Sequence, residues 1–162
     1  MPAGARLKYR SNVPQYAHFV FEGVDPTFYD RASAVRDEGR HNVIVAGESY
    51  GQGSSREHAA MCPMYLGVKM VIAKGIERIH QANLVNFGIL PCLFVDSADY
   101  DRIEQGDQLV ADNFHKALKG DGVFTVRDAT KKFTFQVKAL LSKRQREIVL
   151  AGGLLPYTKQ GK

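Results

Sequence analysis

The richest chemistry in the 162-residue chain lies in residues 47–60, GESYGQGSSREHAA. Gly47, Gly51 and Gly53 let backbone approach a ligand closely. Ser54, Ser55 and Arg56 then stand where a helix is expected to begin. A helix amino terminus presents unpaired N–H groups and partial positive charge, so it favours anions. Two hydroxyls and a guanidinium at that point make a receptor for a carboxylate or phosphate, because arginine binds such groups through a bidentate fork. The segment is not a Walker loop, since no Gly-Lys-Ser/Thr follows, and Arg56 replaces the last glycine of a dinucleotide fingerprint. A purely structural use competes: Ser54 as N-cap and Glu57 three residues on would form a capping box. His58, in the first turn, reads as a packed or hydrogen-bonded helper. His18, His41, His80 and His115 lack ligand spacing to one another, so no histidine metal site is expected.

These residues need a scaffold, and the pattern supplies one. Asn42 to Ala46 (NVIVA), Val68 to Ala73 (VKMVIA) and Leu90 to Val95 are short apolar runs that read as buried strands. Helices are expected between them, over Ser55 to Leu66 with a kink or early stop at Pro63, and over Ile76 to Asn86 with Ile76, Ile79, Asn83 and Phe87 near one face. A short helix follows at Ala98 to Glu104. The order β-α-β-α-β predicts parallel strands joined by right-handed crossovers. Past Gly106, the segments 107–111, 122–128 and 133–140 alternate apolar with polar residues, which predicts an antiparallel layer. A final helix is expected over Lys143 to Leu150. Pro26 to Arg36 reads as a helix, and the rest of the first forty residues as loop. The fold class is therefore α/β, with a parallel βαβαβ core and an added antiparallel β layer, and residues 1–162 are read as one domain.

Hydrophobic residues at 44% and charged residues at 24% exclude collagen-like, coiled-coil and disordered classes. No apolar run approaches the ~20 residues that span a bilayer, and MPAGARLKYR carries no apolar signal core, so neither membrane nor secretory peptide is expected. Cys62 and Cys92, thirty positions apart, fit neither a disulfide framework nor a metal site. They read as buried thiols in a reducing, cytoplasmic-type compartment. The net charge of +5 is local. Residues 131–162 carry eight Lys and Arg against Glu147 alone, a net of +7, while residues 1–130 sum to −2. A solvated face, or a contact with an acidic surface, explains such a segment better than nucleic acid, since few aromatics are interleaved for stacking.

GESYGQGSSREHAA closely resembles the signature of the carboxy-terminal, or swivel, domain of the aconitases, shared with homoaconitase and isopropylmalate isomerase. KGIERIHQANLVNFGILP resembles the family's next segment, RQREIVLAGGLL its close, and MPAGARLKYRSN the stretch after its Thr-Asp-His-Ile motif. That motif would lie just before Met1, so the resemblance implies an excised or separate domain, of the three-layer β/β/α swivelling type. It also implies an aconitate hydratase, a lyase of the tricarboxylic acid cycle that interconverts citrate and isocitrate through cis-aconitate. The alternatives are homoaconitase, isopropylmalate isomerase or, more remotely, an RNA-binding module. By position Ser54 matches the family's catalytic base, and Ser55, Arg56 and Arg10 match binders of substrate carboxylates. The family's [4Fe–4S] cluster needs three cysteine thiolates, and neither Cys62 nor Cys92 matches one. Cluster-bearing domains, in cis or in trans, are thus the partners implied.

Overall fold

A computed structural model describes residues 1, 4–53 and 56–161. A 3₁₀ turn over Gly4–Tyr9 leads into α1 (Val13–Ala17), whose start is capped by the Asn12 side chain accepting from the Gln15 N–H. Pro14 sits in that first turn, where its missing N–H costs nothing. Next comes α2 (Phe28–Asp37), close to the helix expected there. The rest of this arm was expected to be loop. It folds because Tyr16, Ala17, Val20 and Ala32 are buried against Cys62 and Leu66, contacts too distant in sequence to leave a periodic signal.

β1 (Asn42–Ala46), β2 (Val68–Ala73) and β3 (Leu90–Phe94) are parallel neighbours, with Ile44 opposite Val71 and Ile72 opposite Cys92. Their β-branched runs lie between two covered faces, as parallel strands require. α3 (His58–Tyr65) and α4 (Arg78–Asn86) make the crossovers. Two expectations move here. α3 starts three residues later than expected and runs through Pro63 before stopping at Tyr65. In α4 the inward residues are His80, Leu84 and Val85, whereas Ile79 is 61% exposed. Ile76 packs against the core from outside the helix, because Glu77 is still extended at the N-cap, so the Ile76–Ile79 spacing does not mark a helical face.

After a 3₁₀ turn at Ser97–Arg102 come β4 (Leu109–Val110), α5 (Phe114–Lys119), β5 (Val123–Asp128), β6 (Phe133–Lys138), α6 (Lys143–Leu150) and α7 (Leu154–Lys159). The α/β class and its parallel core are as expected. The antiparallel strands, however, continue the same sheet, in the order β1-β2-β3-β6-β5-β4. The junction is short: only Leu93 with Lys138 and Phe94 with Val137 pair β3 to β6. β5 and β6 alternate buried with exposed residues, and Phe124, Val126, Phe135 and Val137 join Ile72, Leu90 and Cys92 in the largest apolar cluster. On the other face of the parallel strands, Ile44, Val68 and Val71 pack with Ala60, Leu84 and Ile89. α3 is thereby held between the sheet and the amino-terminal arm.

Candidate active site

The loop over residues 47–57 leaves the carboxyl end of β1, where open α/β sheets bind their ligands. It is anchored on the loop that follows β2. The Lys74 N–H donates to the Ala46 and Gly47 carbonyls at 3.3 and 3.2 Å. The Tyr50 N–H donates to Gly75 O at 2.9 Å, and the Glu77 N–H to Tyr50 O at 2.8 Å, so that Tyr50 bridges Ile76 like a short parallel strand. Gly51 and Gly53 have φ of +95° and +109°, conformations that a side chain would strain. The loop after β3 closes a third side. Tyr100 lies under Gly47, with the Lys74 ammonium 4.8 Å from the centre of its ring and 3.9 Å from the Asp101 carboxylate.

Ser54 and Ser55, the base and one carboxylate binder implied by resemblance, lie outside the described residues. Arg56 is half-buried, two positions before the first residue of α3. The N-cap of that helix is Glu57, which makes no side-chain cap bond. Glu57 therefore does not occupy the third helical position that the capping box would need. Glu57 itself stands at the cap, so the helix is entered three residues later than that box requires.

Arg10 is exposed at the end of the first 3₁₀ turn, its N–H donating to Leu7 O. Its carbonyl lies 2.9 Å from Nε2 of His58, the first residue of α3, so the segments of Arg10 and Arg56 are drawn together. Tyr16, fully buried, packs edge-on to the same imidazole at 5.4 Å. His58 thus behaves as the hydrogen-bonded helper expected. Sequence reasoning missed His80, which lies behind the loop, and Lys74 and Tyr100, which flank it. Their signal was position alone, at the carboxyl ends of β2 and β3.

The thiols do not suit an iron–sulfur cluster, whose ligands are clustered cysteine thiolates. Cys62 and Cys92 are both buried. Burial pushes the Cys62 thiol up to about 11 and the Cys92 thiol higher still. Among the described residues no three His, Cys, Asp or Glu side chains gather where they could hold a metal ion.

A family profile described as the aconitase C-terminal domain matches residues 2–97. The chain belongs to that family. An aconitate hydratase of the mitochondria of Gracilaria gracilis is 47% identical over 83 residues, covering 51% of this chain and 11% of its own. A mitochondrial homocitrate dehydratase of Saccharomyces cerevisiae is 31% identical over 179 residues, covering 96% of this chain and 23% of its own. The aconitase-family chain thus spans less than a quarter of the length of the curated relatives it matches. Among solved structures, a 3-isopropylmalate dehydratase from Methanocaldococcus jannaschii superposes with a TM-score of 0.73 at 33% identity, covering 93% of this chain and 78% of that one. The relatives overturn the cytoplasmic expectation, because their names place them in mitochondria. Two buried thiols report a reducing milieu, and a reducing milieu is not unique to the cytoplasm.

Proposed function

We propose that residues 1–162 form one swivel domain of a hydro-lyase of the aconitase kind, acting on a tricarboxylate, in a mitochondrial rather than a cytoplasmic setting. The observation that carries this reading is the meeting of two segments. The signature loop ends at the strand-end crevice, and His58 ties the Arg10 segment to the start of α3, two residues past Arg56. Two arginine-bearing segments brought together in this way suit a substrate with several carboxylates.

In this reading Ser54 takes the proton from the carbon next to a carboxylate. The C–H electron pair then spreads onto that carboxylate while hydroxide leaves the neighbouring carbon, so that water is lost overall. A serine hydroxyl is a weak base in water and works here only where positive charge and N–H donors hold its alkoxide, which is the service assigned to Arg56 and the head of α3. Ser55, Arg56 and Arg10 hold the carboxylates. Because Cys62 and Cys92 are buried and far from thiolate chemistry, a [4Fe–4S] cluster belongs to other domains of the complete enzyme.

Arg10 is the residue proposed to separate the tricarboxylate enzymes, on citrate or homocitrate, from the isopropylmalate enzyme, and citrate is preferred over homocitrate on overall likeness to the aconitases alone. A third carboxylate pairs with the Arg10 guanidinium, whereas a branched alkyl group at the same place would leave a desolvated charge without a partner. Steady-state kinetics of the complete enzyme on citrate, homocitrate and isopropylmalate tests this. The expected result is turnover of a tricarboxylate, lost in Arg10→Leu. Preference for isopropylmalate, or citrate turnover untouched by Arg10→Leu, would overturn it.

A further inference from the structure

His80 is 6% exposed, and its Nε2 has no hydrogen-bond partner. A buried polar atom without a partner costs stability, so the ring is kept for something other than that atom. The Gly51 turn shows what. A Cβ on Gly51 would lie 2.4 Å from His80 Cβ, 2.5 Å from Cγ and 2.6 Å from Cδ2. The backbone of the loop therefore rests directly on the imidazole. The Tyr50 ring meets the same imidazole edge-on at 5.1 Å, and the Tyr50 backbone is bonded on both sides to Gly75 and Glu77. Two residues further on the loop backbone is more open. A Cβ on Gly53 would meet nothing within 4 Å, and a cleft of about 470 Å³ opens between residues 51–53 and 77–80. The loop is thus held at Tyr50 and Gly51, five residues before Arg56, so the direction in which it leaves Gly51 bears on where Arg56 arrives.

We propose that His80 is a positioning residue for the signature loop: its ring, rather than its ring nitrogens, is the wall that sets the loop's course toward the substrate. The activity arm of the test rests on the function proposed above, and the exchange arm does not. In the complete enzyme, His80→Ala is expected to lower kcat by roughly 10–100-fold while KM moves far less, the effect of small misplacement of reacting groups. His80→Phe, which keeps a ring and replaces the unpartnered nitrogen by carbon, is expected to recover most of that loss. Amide hydrogen exchange on the same proteins reads the loop directly. His80→Ala speeds exchange at Gln52 and Glu77, His80→Phe does not, and the β2 amides stay slow in both. Three results would overturn the proposal: unchanged exchange and kcat in His80→Ala, equal impairment in His80→Phe, or faster exchange throughout the sheet, which marks a general packing role. An unmodified enzyme without hydro-lyase activity would instead refute the proposed function and leave the exchange arm to decide the clamp.

Discussion

At the residue scale, the site pairs a few special backbone positions with groups whose protonation is set by burial. Gly51→Ala both strains a φ of +95° and drives a methyl into His80. The left-handed conformation costs about 1–2 kcal/mol and overpacking about 1–3 kcal/mol, so denaturant unfolding should show a loss of several kcal/mol. His80 also predicts a pH dependence. Burial lowers its folded-state value below the ordinary 6.5, so the unfolded chain takes up a proton that the folded chain refuses. Stability is then complete above pH 6.5 and falls as pH drops below it. Urea midpoints measured across pH 5–8 should show that slope, and His80→Phe should flatten it. Cys62 and Cys92, buried and held as thiols, should react with a coloured disulfide reagent only after denaturant is added. Fast reaction of the native chain at pH 8 would contradict this. Ser54, Ser55 and Arg56 could be picked out by residue type alone. His80 could not, because its role comes from contact with a glycine twenty-nine positions earlier and from no pattern of its own.

At the element scale, the strands of the parallel core were legible and the ends of the helices were not. Val43, Ile44, Val45, Val71 and Ile72 are β-branched or apolar in unbroken runs, and such runs have one comfortable place in an α/β protein. Helix starts depend on the backbone of the residue at the cap: Glu57 caps α3 and the extended Glu77 caps α4, each later than the sequence pattern suggested. Two short helices, α5 and α7, left no periodic trace in six residues each. They are held by burial of Leu118 and Tyr157. The sheet continuing from β3 into β6 was equally hidden, since two residue pairs carry the whole junction. One packing site was hidden too, where the end of α4 meets the link between α6 and α7 backbone to backbone. A Cβ on Gly88, at φ +70°, would come 2.4 Å from Gly152 O. Gly88→Ala should therefore cost about 2–5 kcal/mol in equilibrium unfolding, and an unchanged midpoint would show that the two helices part more easily than drawn.

At the scale of the whole molecule, charge and missing chemistry point the same way. The basic carboxy-terminal segment is partly spent inside the fold. Lys131 pairs with Glu104 at 3.2 Å and Asp107 at 3.3 Å, and Arg146 donates to the carbonyls of Leu141, Leu118 and Gly120. What remains exposed is Lys132, Lys138, Lys143, Arg144 and Lys159, with few aromatics interleaved to stack bases, a weak footing for the nucleic-acid alternative. By contrast, the contact of the Arg10 carbonyl with His58 brings the Arg10 segment to the start of α3, and among the described residues both thiols are buried. In the proposed reading this chain supplies one half of a hydro-lyase site. Hydration of cis-aconitate, followed spectrophotometrically for the cluster-bearing domains of the enzyme, tests it most directly: without this chain, with the chain, and with its Ser54→Ala form. Turnover is expected only with the unmodified chain, and should fall about 10²–10⁴-fold or more with Ser54→Ala while substrate still binds. Normal turnover without the chain, or with Ser54→Ala in place, would contradict it.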